Sequence, residues 1–285
     1  MDIELLRTFL EVSRLRHFGR AGEKLYVTQS AVSARIRQLE ATLGVPLFTR
    51  NRNDIRLTAE GQRLVKHAET IVSAWVRARQ ETELGPAYSS ALAVGAMWDL
   101  WEVLLNRWLP AVRDSFPEIA LQIESHAAEV LVRKLIDGLL DLAFVFDPPQ
   151  LPDLEIREVA ILNLIMVSTR PGQTVSAALG ADYIMVDWGT SFGSSHAHHF
   201  PDLPTPAIRM SLASLAFNYL LHHDGSAYLA EDALKLPNAR QRLFRVEQAP
   251  VVKRTAYAVY RPDSERQDII QTTLALLQQI RSASG

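Results

Sequence analysis

The stretch VTQSAVSARIRQLEATLG, residues 27–44, constrains the fold more than any other part of the chain. Its apolar residues recur at intervals of four, three and four, at Val32, Ile36, Leu39 and Leu43. This spacing predicts a helix with one buried apolar face. The opposite side, near the helix start, carries Gln29, Ser30, Ser33 and Arg37. Because a merely solvated face usually carries long charged residues, these groups indicate a surface that a partner approaches closely.

The residues before this helix predict two more helices. A first amphipathic helix contains Leu5, Leu6, Phe9, Leu10 and Val12, and a short second one, GRAGEKLYV, packs through Ala21, Leu25 and Tyr26. Thr28 is a favourable N-cap for the third helix, because its hydroxyl accepts a backbone N–H of the first turn. Two helices joined by a tight turn form a helix-turn-helix, which we place at residues 18–37. In this motif the start of the second helix contacts base edges in the major groove.

The polar side chains suit contact with double-stranded DNA. Gln29 can pair with adenine through two hydrogen bonds, and Arg37 can reach a phosphate or a guanine. The next segment, VPLFTRNRNDIRLT, combines an apolar anchor with arginines around a polar turn, which predicts a β-wing along the phosphates. The predicted DNA-contacting set is Thr28, Gln29, Ser30, Ser33, Arg35, Arg37, Arg50 and Arg52. An ordinary three-helix domain with a basic hairpin is the alternative.

Charge is distributed unevenly along the chain. Residues 1–66 hold 12 Lys or Arg and 7 Asp or Glu, whereas the remaining residues hold 18 and 25. A basic head on an acidic body indicates that the head meets a polyanion and the body does not. Chance variation in surface charge is the alternative explanation of this difference.

The frame TQSAVSxxIxxLExxLGxxLFxR followed by LTxxG, within an ungapped stretch from about Leu5 to Gly61, resembles the N-terminal domain of LysR-type transcriptional regulators of bacteria. The resemblance implies an all-α winged helix-turn-helix DNA-binding domain, here residues 1–58, then a long linker helix and a ligand-sensing domain. It also implies a homo-oligomer, a dimer or a tetramer. Ala34 and Asn53 depart from the family pattern, since many members carry a basic residue at each of these places.

Residues 59–86 predict the linker helix. Apolar residues recur at intervals of four, three, four and three, which is the seam of a two-stranded coiled coil. The predicted dimerisation residues are Leu64, Ala68, Ile71, Trp75 and Ala78. Such a dimer would present two recognition helices to a two-fold DNA site. A long helix that packs only on its own domain is the alternative.

Residues 91–285 alternate strands with helices, which predicts βαβ units and a largely parallel sheet. We expect strands at 91–96, 119–125, 141–147, 181–189 and 253–262, and helices at 101–112, 129–140, 211–225 and 267–282, the third of these running on into SAYLAEDAL. The LysR resemblance implies that these elements form an α/β domain of two lobes, like a type 2 periplasmic binding protein, that senses an effector.

Ligands of open α/β sheets bind beyond the carboxyl ends of the strands. The candidate ligand-binding residues near those ends are Met97, Trp98, Trp101, His126, Asp147, Trp188 and Phe192. Many LysR-type proteins have Ser or Thr in the stretch where this chain has Asp99, and an aspartate there should repel a carboxylate. The aromatic residues would suit a flat or apolar effector. They could equally be core and lobe packing.

Other kinds of chemistry find little support in the sequence. There is no cysteine, no P-loop or dinucleotide fingerprint and no G-x-S-x-G motif, so we expect no enzyme and no cofactor. The histidines of SSHAHHF predict a polar loop rather than a metal site. The first residues lack a basic n-region, and no apolar run reaches the roughly 18 residues of a membrane span, so we expect a cytoplasmic protein.

These observations favour a sequence-specific transcriptional regulator. Two other classes stay open: a solute-binding receptor module, which residues 91–285 alone would permit, and an architectural DNA-binding protein without sequence preference. The absence of an export signal and the basic head argue against the first class. Competition with random DNA would separate the second class from a regulator.

Overall fold

The computed structural model describes residues 2–51, 54–82, 84–85 and 87–284. The chain forms two compact units. One, the head, contains residues 1–86 together with residues 137–139. The other, the body, contains residues 87–136 and 140–285.

The head contains four helices among its described residues, α1 Ile3–Leu15, α2 Phe18–Leu25, α3 Gln29–Leu43 and α4 Ala59–Thr82, and a hairpin of β1 Phe48–Asn51 with β2 Asp54–Leu57. Polar side chains start the first three helices. Asp2 accepts from the N–H of Glu4, His17 from that of Arg20, and Thr28 from that of Ala31. These caps satisfy donors that have no partner inside the helix.

The head core lies where α1, α2 and α3 meet. Val32, Ile36 and Leu39 are completely buried, so three of the four apolar positions predicted for α3 face this core. The fourth prediction is wrong: Leu43 is exposed, because the helix ends beside it at Gly44 and the chain turns away. Phe48 closes the core from β1, with its ring centroid 5.5 Å from that of Phe9. Burying each large apolar side chain stabilises the fold by about 1.5–3 kcal/mol.

The body is built around one nine-stranded sheet in the order β4-β3-β5-β11-β6-β9-β7-β8, with β10 beside β6. The strands are β3 Ser90–Ala96, β4 Ile119–Ser125, β5 Leu142–Phe146, β6 Glu155–Ser168, β7 Tyr183–Val186, β8 Ile208–Met210, β9 Ser226–Ala230, β10 Phe244–Arg245 and β11 Val252–Tyr260. Parallel strands β3, β4 and β5 form the first lobe, and parallel β7, β8 and β9 the second. Strands β6 and β11 pair antiparallel and cross between the lobes.

Helices cover the sheet. They are α5 Trp98–Leu100, α6 Trp108–Ser115, α7 Ala128–Ile136, α8 Val175–Ala178, α9 Thr190–His199, α10 Ala213–His222 and α11 Gln267–Ser284, with a π-helical turn at Trp101–Leu105 and a 3₁₀ turn at Glu231–Lys235. The strand predicted at 119–125 is present with these bounds, and those predicted at 91–96, 141–147, 181–189 and 253–262 are present with shifted ends, as is the closing helix. None of the helices in the described ranges is both long and apolar enough to cross a membrane.

Several predicted elements of the body are wrong. The helix expected at 101–112 is broken into a π-helical turn and α6, and the helix expected at 129–140 ends at Ile136, because Gly138 adopts a positive φ of 68°. The third helix does not run on into SAYLAEDAL, whose first residues form β9. The expected polar loop SSHAHHF lies largely in α9, where His196 is buried and bonded to the Tyr183 hydroxyl at 2.7 Å. Burial lowers the pKa of His196, which favours the neutral ring.

Candidate nucleic-acid interface and ligand cleft

The start of α3 is fixed by its cap. The Thr28 hydroxyl accepts the N–H of Ala31 at 3.2 Å, as predicted, and lies 2.8 Å from the Ser30 hydroxyl. The first two residues of the helix, Gln29 and Ser30, are exposed, and Ser33 is half-buried one turn further on. Arg37 is exposed on the next turn. An exposed helix start carrying an amide, hydroxyls and a guanidinium can donate and accept hydrogen bonds at base edges.

Arg35 lies on a different side of α3. Its guanidinium donates to the Thr8 hydroxyl at 3.3 Å and lies 3.7 Å from a carboxylate oxygen of Glu4. Both partners belong to α1. Arg35 therefore ties α3 to α1, and its guanidinium is already engaged within the head.

The helix-turn-helix is tightly packed at Gly22. A methyl carbon built on this residue would lie 2.7 Å from the backbone oxygen of Val27 and 3.4 Å from the backbone nitrogen of Gln29. Only a glycine lets α2 come this close to the start of α3.

The prediction that Tyr26 packs in the core is wrong. Its side chain points to solvent, with 96% of its surface exposed.

The predicted wing region forms a two-stranded antiparallel hairpin. Its register runs from Phe48 opposite Leu57 to Asn51 opposite Asp54. Arg50 lies in β1 opposite Ile55, while Arg52 lies outside the described residues. Glu40 of α3 anchors the hairpin, because its carboxylate accepts the N–H of Leu47 at 2.8 Å.

The apolar stripe of α4 has two different environments. Ala68 is completely buried in the head core, and Leu64 packs against that core. Further along, Ile71 is 42% exposed, Trp75 is 51% exposed, and Ala78 is exposed. The first two predicted seam residues therefore contribute to the head's own core, and the last three face outward.

Asp99 links the two lobes of the body. Its carboxylate accepts the N–H of Ala213, the first residue of α10 in the second lobe, at 3.0 Å. Burial raises the pKa of Asp99 to about 6, although the Ala213 hydrogen bond lowers it; Glu102 and Asp187 raise it further. A residue of the first lobe thus supplies a carboxylate at a helix N-terminus of the second, where an anion is electrostatically favoured.

Asp147 makes a second link of this kind. One carboxylate oxygen accepts from the Arg254 guanidinium at 2.8 Å, and the other from the N–H of Ser191 in the first turn of α9 at 3.4 Å. Arg254 is only 2% exposed, and its guanidinium carbon lies 4.5 Å from the centroid of the Phe146 ring. Its other nitrogens, Nε and Nη2, have no hydrogen-bond partner among the described residues.

The candidate ligand-binding residues are not all accessible. Trp188 and Phe192 are buried in the body core, and the Trp188 indole donates to the backbone oxygen of Tyr228 at 2.9 Å. Trp101 is half-buried and donates to the backbone oxygen of Glu124. These three aromatic residues pack in or against the core of the body, which is the alternative to ligand binding given above.

The remaining candidates lie nearer the surface. Trp98 is 48% exposed and directly precedes the buried Asp99, and Met97 is half-buried. His126 is exposed and lies 3.0 Å from the Glu124 carboxylate. Asp147 is held in the ion pair with Arg254.

Comparisons with known proteins agree with this architecture. Residues 3–62 match the family described as "Bacterial regulatory helix-turn-helix protein, lysR family", and residues 87–281 match the "LysR substrate binding domain". The chain is 37% identical over 273 residues to the HTH-type transcriptional regulator HdfR of Salmonella dublin, an alignment that covers 95% of this chain and 96% of the relative.

Solved structures share the fold. Full-length OxyR from Pseudomonas aeruginosa, in a variant form, has a TM-score of 0.61 at 22% identity, covering 98% of this chain and 95% of that one. Vibrio fischeri DarR, solved in complex with DNA, has a TM-score of 0.59 at 21% identity, covering 98% and 99%. Since both matched families and the HdfR relative together span nearly the whole sequence, the chain belongs to the LysR family and is a DNA-binding transcriptional regulator.

Proposed function

We propose that this regulator reads a partly palindromic DNA site with the start of α3, and that Gln29, Ser33 and Arg37 carry the sequence preference. The observation that supports this most is the capped, outward-facing helix start, with Gln29 exposed directly after the Thr28 cap. Amide and guanidinium groups can each make two hydrogen bonds to one base, and each such pair contributes about 1–3 kcal/mol of discrimination. Arg50 and Arg52 would contact phosphates and set the salt-dependent part of the affinity.

The functional regions proposed for the chain are residues 1–58 for DNA binding, residues 59–86 for dimerisation and residues 91–285 for sensing. Support for dimerisation comes from α4, where Ile71 and Trp75 expose apolar surface on one stripe of the helix. Covering an exposed Trp and Ile with a second copy would remove this surface from water. A dimer, or a tetramer of two dimers, would then place two α3 helices on one duplex.

In the body, we propose a cleft that does not take a simple carboxylate effector. Asp99 and Asp147 already place carboxylates at the first turns of α10 and α9, so an incoming anion would meet like charge where it needs donors. Titrating the full chain with phenylacetamide and phenylacetate, followed by Trp fluorescence, tests this. Tighter binding of phenylacetate than of its neutral counterpart would contradict the proposal.

A catalytic role is not part of the proposal, since the relatives that the chain matches are named as transcriptional regulators. The regulator would act in the cytoplasm, where the bacterial chromosome lies. Its cleft would serve to modulate DNA binding by a small effector rather than to turn over a substrate.

Fluorescence polarisation with labelled DNA from upstream of the protein's own gene tests the proposal directly. We expect the full chain to hold this probe in the presence of a roughly 100-fold excess of random duplex, because specific binding exceeds non-specific binding by about 10³ or more. A Gln29→Ala variant should lose about 5- to 150-fold of this advantage while keeping its affinity for random DNA. Equal affinity of the wild type for both duplexes, on this probe and across genomic fragments, would favour an architectural protein instead.

A further inference from the structure

The residue that ends α2 has an uncommon backbone conformation for its type. Tyr26 has φ 55° and ψ 40°, in the left-handed region. Its N–H donates to the oxygen of Glu23 at 3.3 Å, and the N–H of Val27 donates to the oxygen of Gly22 at 2.9 Å. This six-to-one bond defines a Schellman cap, in which the residue at this position is left-handed and usually glycine. The cap therefore dictates the conformation, whichever residue occupies it.

A tyrosine at this position lowers the stability of the head. In the left-handed region, Cβ of an L-residue lies close to the following carbonyl oxygen. Relieving this contact would raise the folding equilibrium constant of the head about fivefold. The head uses the favourable residue at the end of α3, where Gly44 has φ 73°, while Arg16 at the end of α1 is left-handed like Tyr26, with φ 50°. Folding alone would favour glycine at all three caps.

Packing does not compensate for this cost. The Tyr26 side chain is 96% exposed, so its ring removes almost no apolar surface from water. Tyr26 lies two residues before the Thr28 cap, beside the exposed start of α3. On α2, Arg20, Glu23 and Lys24 are also exposed, so the exposed charges of this short helix are net positive.

From this placement we propose that Tyr26 is a positioning residue for DNA binding, whose phenol hydroxyl donates a hydrogen bond to a backbone phosphate at the edge of the major groove. The proposal rests on the proposed insertion of α3 into that groove. When the recognition helix lies in the groove, the helix before it crosses the backbone, and the turn between them lies near the phosphates. Tyrosine hydroxyls are among the groups that make such register-setting contacts.

A neutral contact has a distinct signature. A lysine or arginine on a phosphate releases counterions, so its removal lowers the slope of log affinity against log salt by about 1. A phenol carries no charge, and its removal should weaken binding without changing that slope. Since every sequence presents the same phosphates, the loss should be similar for specific and random duplexes.

The test compares Tyr26→Gly and Tyr26→Phe with the wild-type full chain. Polarisation binding is measured on DNA from upstream of the gene and on a random duplex, over a series of salt concentrations. We expect both variants to bind both duplexes about five- to tenfold more weakly with an unchanged salt slope. Hydrogen exchange of residues 18–43 should slow about fivefold in Tyr26→Gly only, because glycine relieves the backbone conformation. This variant should therefore be well folded.

The outcomes separate cleanly. Wild-type affinity in Tyr26→Gly would overturn the proposal, and wild-type affinity in Tyr26→Phe would show that the hydroxyl makes no contact, which also overturns it. A loss confined to the specific duplex would indicate base contact and contradict the phosphate assignment. If the wild type showed no sequence preference, the proposed function would fail, yet the comparison on random duplex would still decide the role of Tyr26.

Discussion

Replacing Gly22 with alanine tests how closely α2 packs on the start of α3. The added methyl carbon would lie 2.7 Å from the backbone oxygen of Val27, well inside van der Waals contact. This oxygen and the nearby nitrogen of Gln29 both belong to the backbone, so the clash is relieved only if the turn itself moves. Overpacking of this kind costs up to about 3 kcal/mol. Alanine recovers about 1 kcal/mol through its higher helix propensity. The head should therefore lose about 2 kcal/mol, which is about a 30-fold change in a local opening equilibrium.

Gly19 provides a matched control in the same helix. A methyl carbon there would lie 3.0 Å from a ring carbon of His17, an exposed side chain that can rotate away. Gly19→Ala gains the same helix propensity, about 1 kcal/mol, and at most loses the His17 cap, worth about the same, so its net effect should lie between zero and about 1 kcal/mol of stabilisation.

Hydrogen exchange of the full-length protein, read by mass spectrometry on peptides from residues 18–43, measures both variants. Gly22→Ala should exchange about 30-fold faster than wild type, and Gly19→Ala at the wild-type rate or up to about fivefold more slowly. DNA affinity should fall in Gly22→Ala, because the displaced turn carries the start of α3 with it. Equal protection of Gly22→Ala and wild type would refute the close packing from which the magnitude is worked.

Three further predictions concern the seam, the wing and the cleft. Trp75→Asp should abolish dimers, since it places a charge in the proposed seam; a stable dimer at micromolar concentration by light scattering would contradict this. Arg50→Ala should lower the salt slope of DNA binding by about 1, and an unchanged slope would refute the phosphate contact. Because the folded pKa of Asp99, about 6, lies above its unfolded value, the folded state binds this proton more tightly, and stability falls as pH rises through about 4 to 6. In urea unfolding at pH 7.5, Asp99→Asn should be about 3 kcal/mol more stable than wild type, because it removes that loss; at pH 4 it should show no such gain. Equal stability of variant and wild type at pH 7.5 would contradict this prediction.

The helix-turn-helix could be predicted because its determinants are local. The 3.6-residue period of Val32, Ile36 and Leu39 and the Thr28 cap act within one element, and the structure has both. The errors within the head lie at the ends of its helices, at Leu43 and Tyr26. There the periodic pattern continues in the sequence while the backbone has already turned away from the core.

The crossing strands of the body could not be predicted in the same way. The first half of β6 carries charged residues among apolar ones, and its pairing partner β11 lies about ninety residues further along the chain. Only its second half, residues 164–168, is continuously buried, against β9. Similarly, the residues beside His196 in the sequence do not indicate that its side chain is buried, because its partner Tyr183 belongs to strand β7. Long-range pairing decided both cases.

The stripe on α4 shows why spacing alone cannot name a partner. A period of four and three is the same whether the covering surface is the chain's own head or a second copy. Ala68 is covered by the head core, whereas Ile71 and Trp75 continue the same stripe beyond it and are exposed. One uninterrupted helix, α4, carries both the buried Ala68 and the exposed Trp75. A second copy that packs on Trp75 would therefore fix the orientation of the head that contains Ala68. In the proposed dimer, the spacing between the two α3 helices would then be set by α4, and a helix-breaking substitution between Ala68 and Ile71 should weaken binding to a two-fold site more than binding to a half-site.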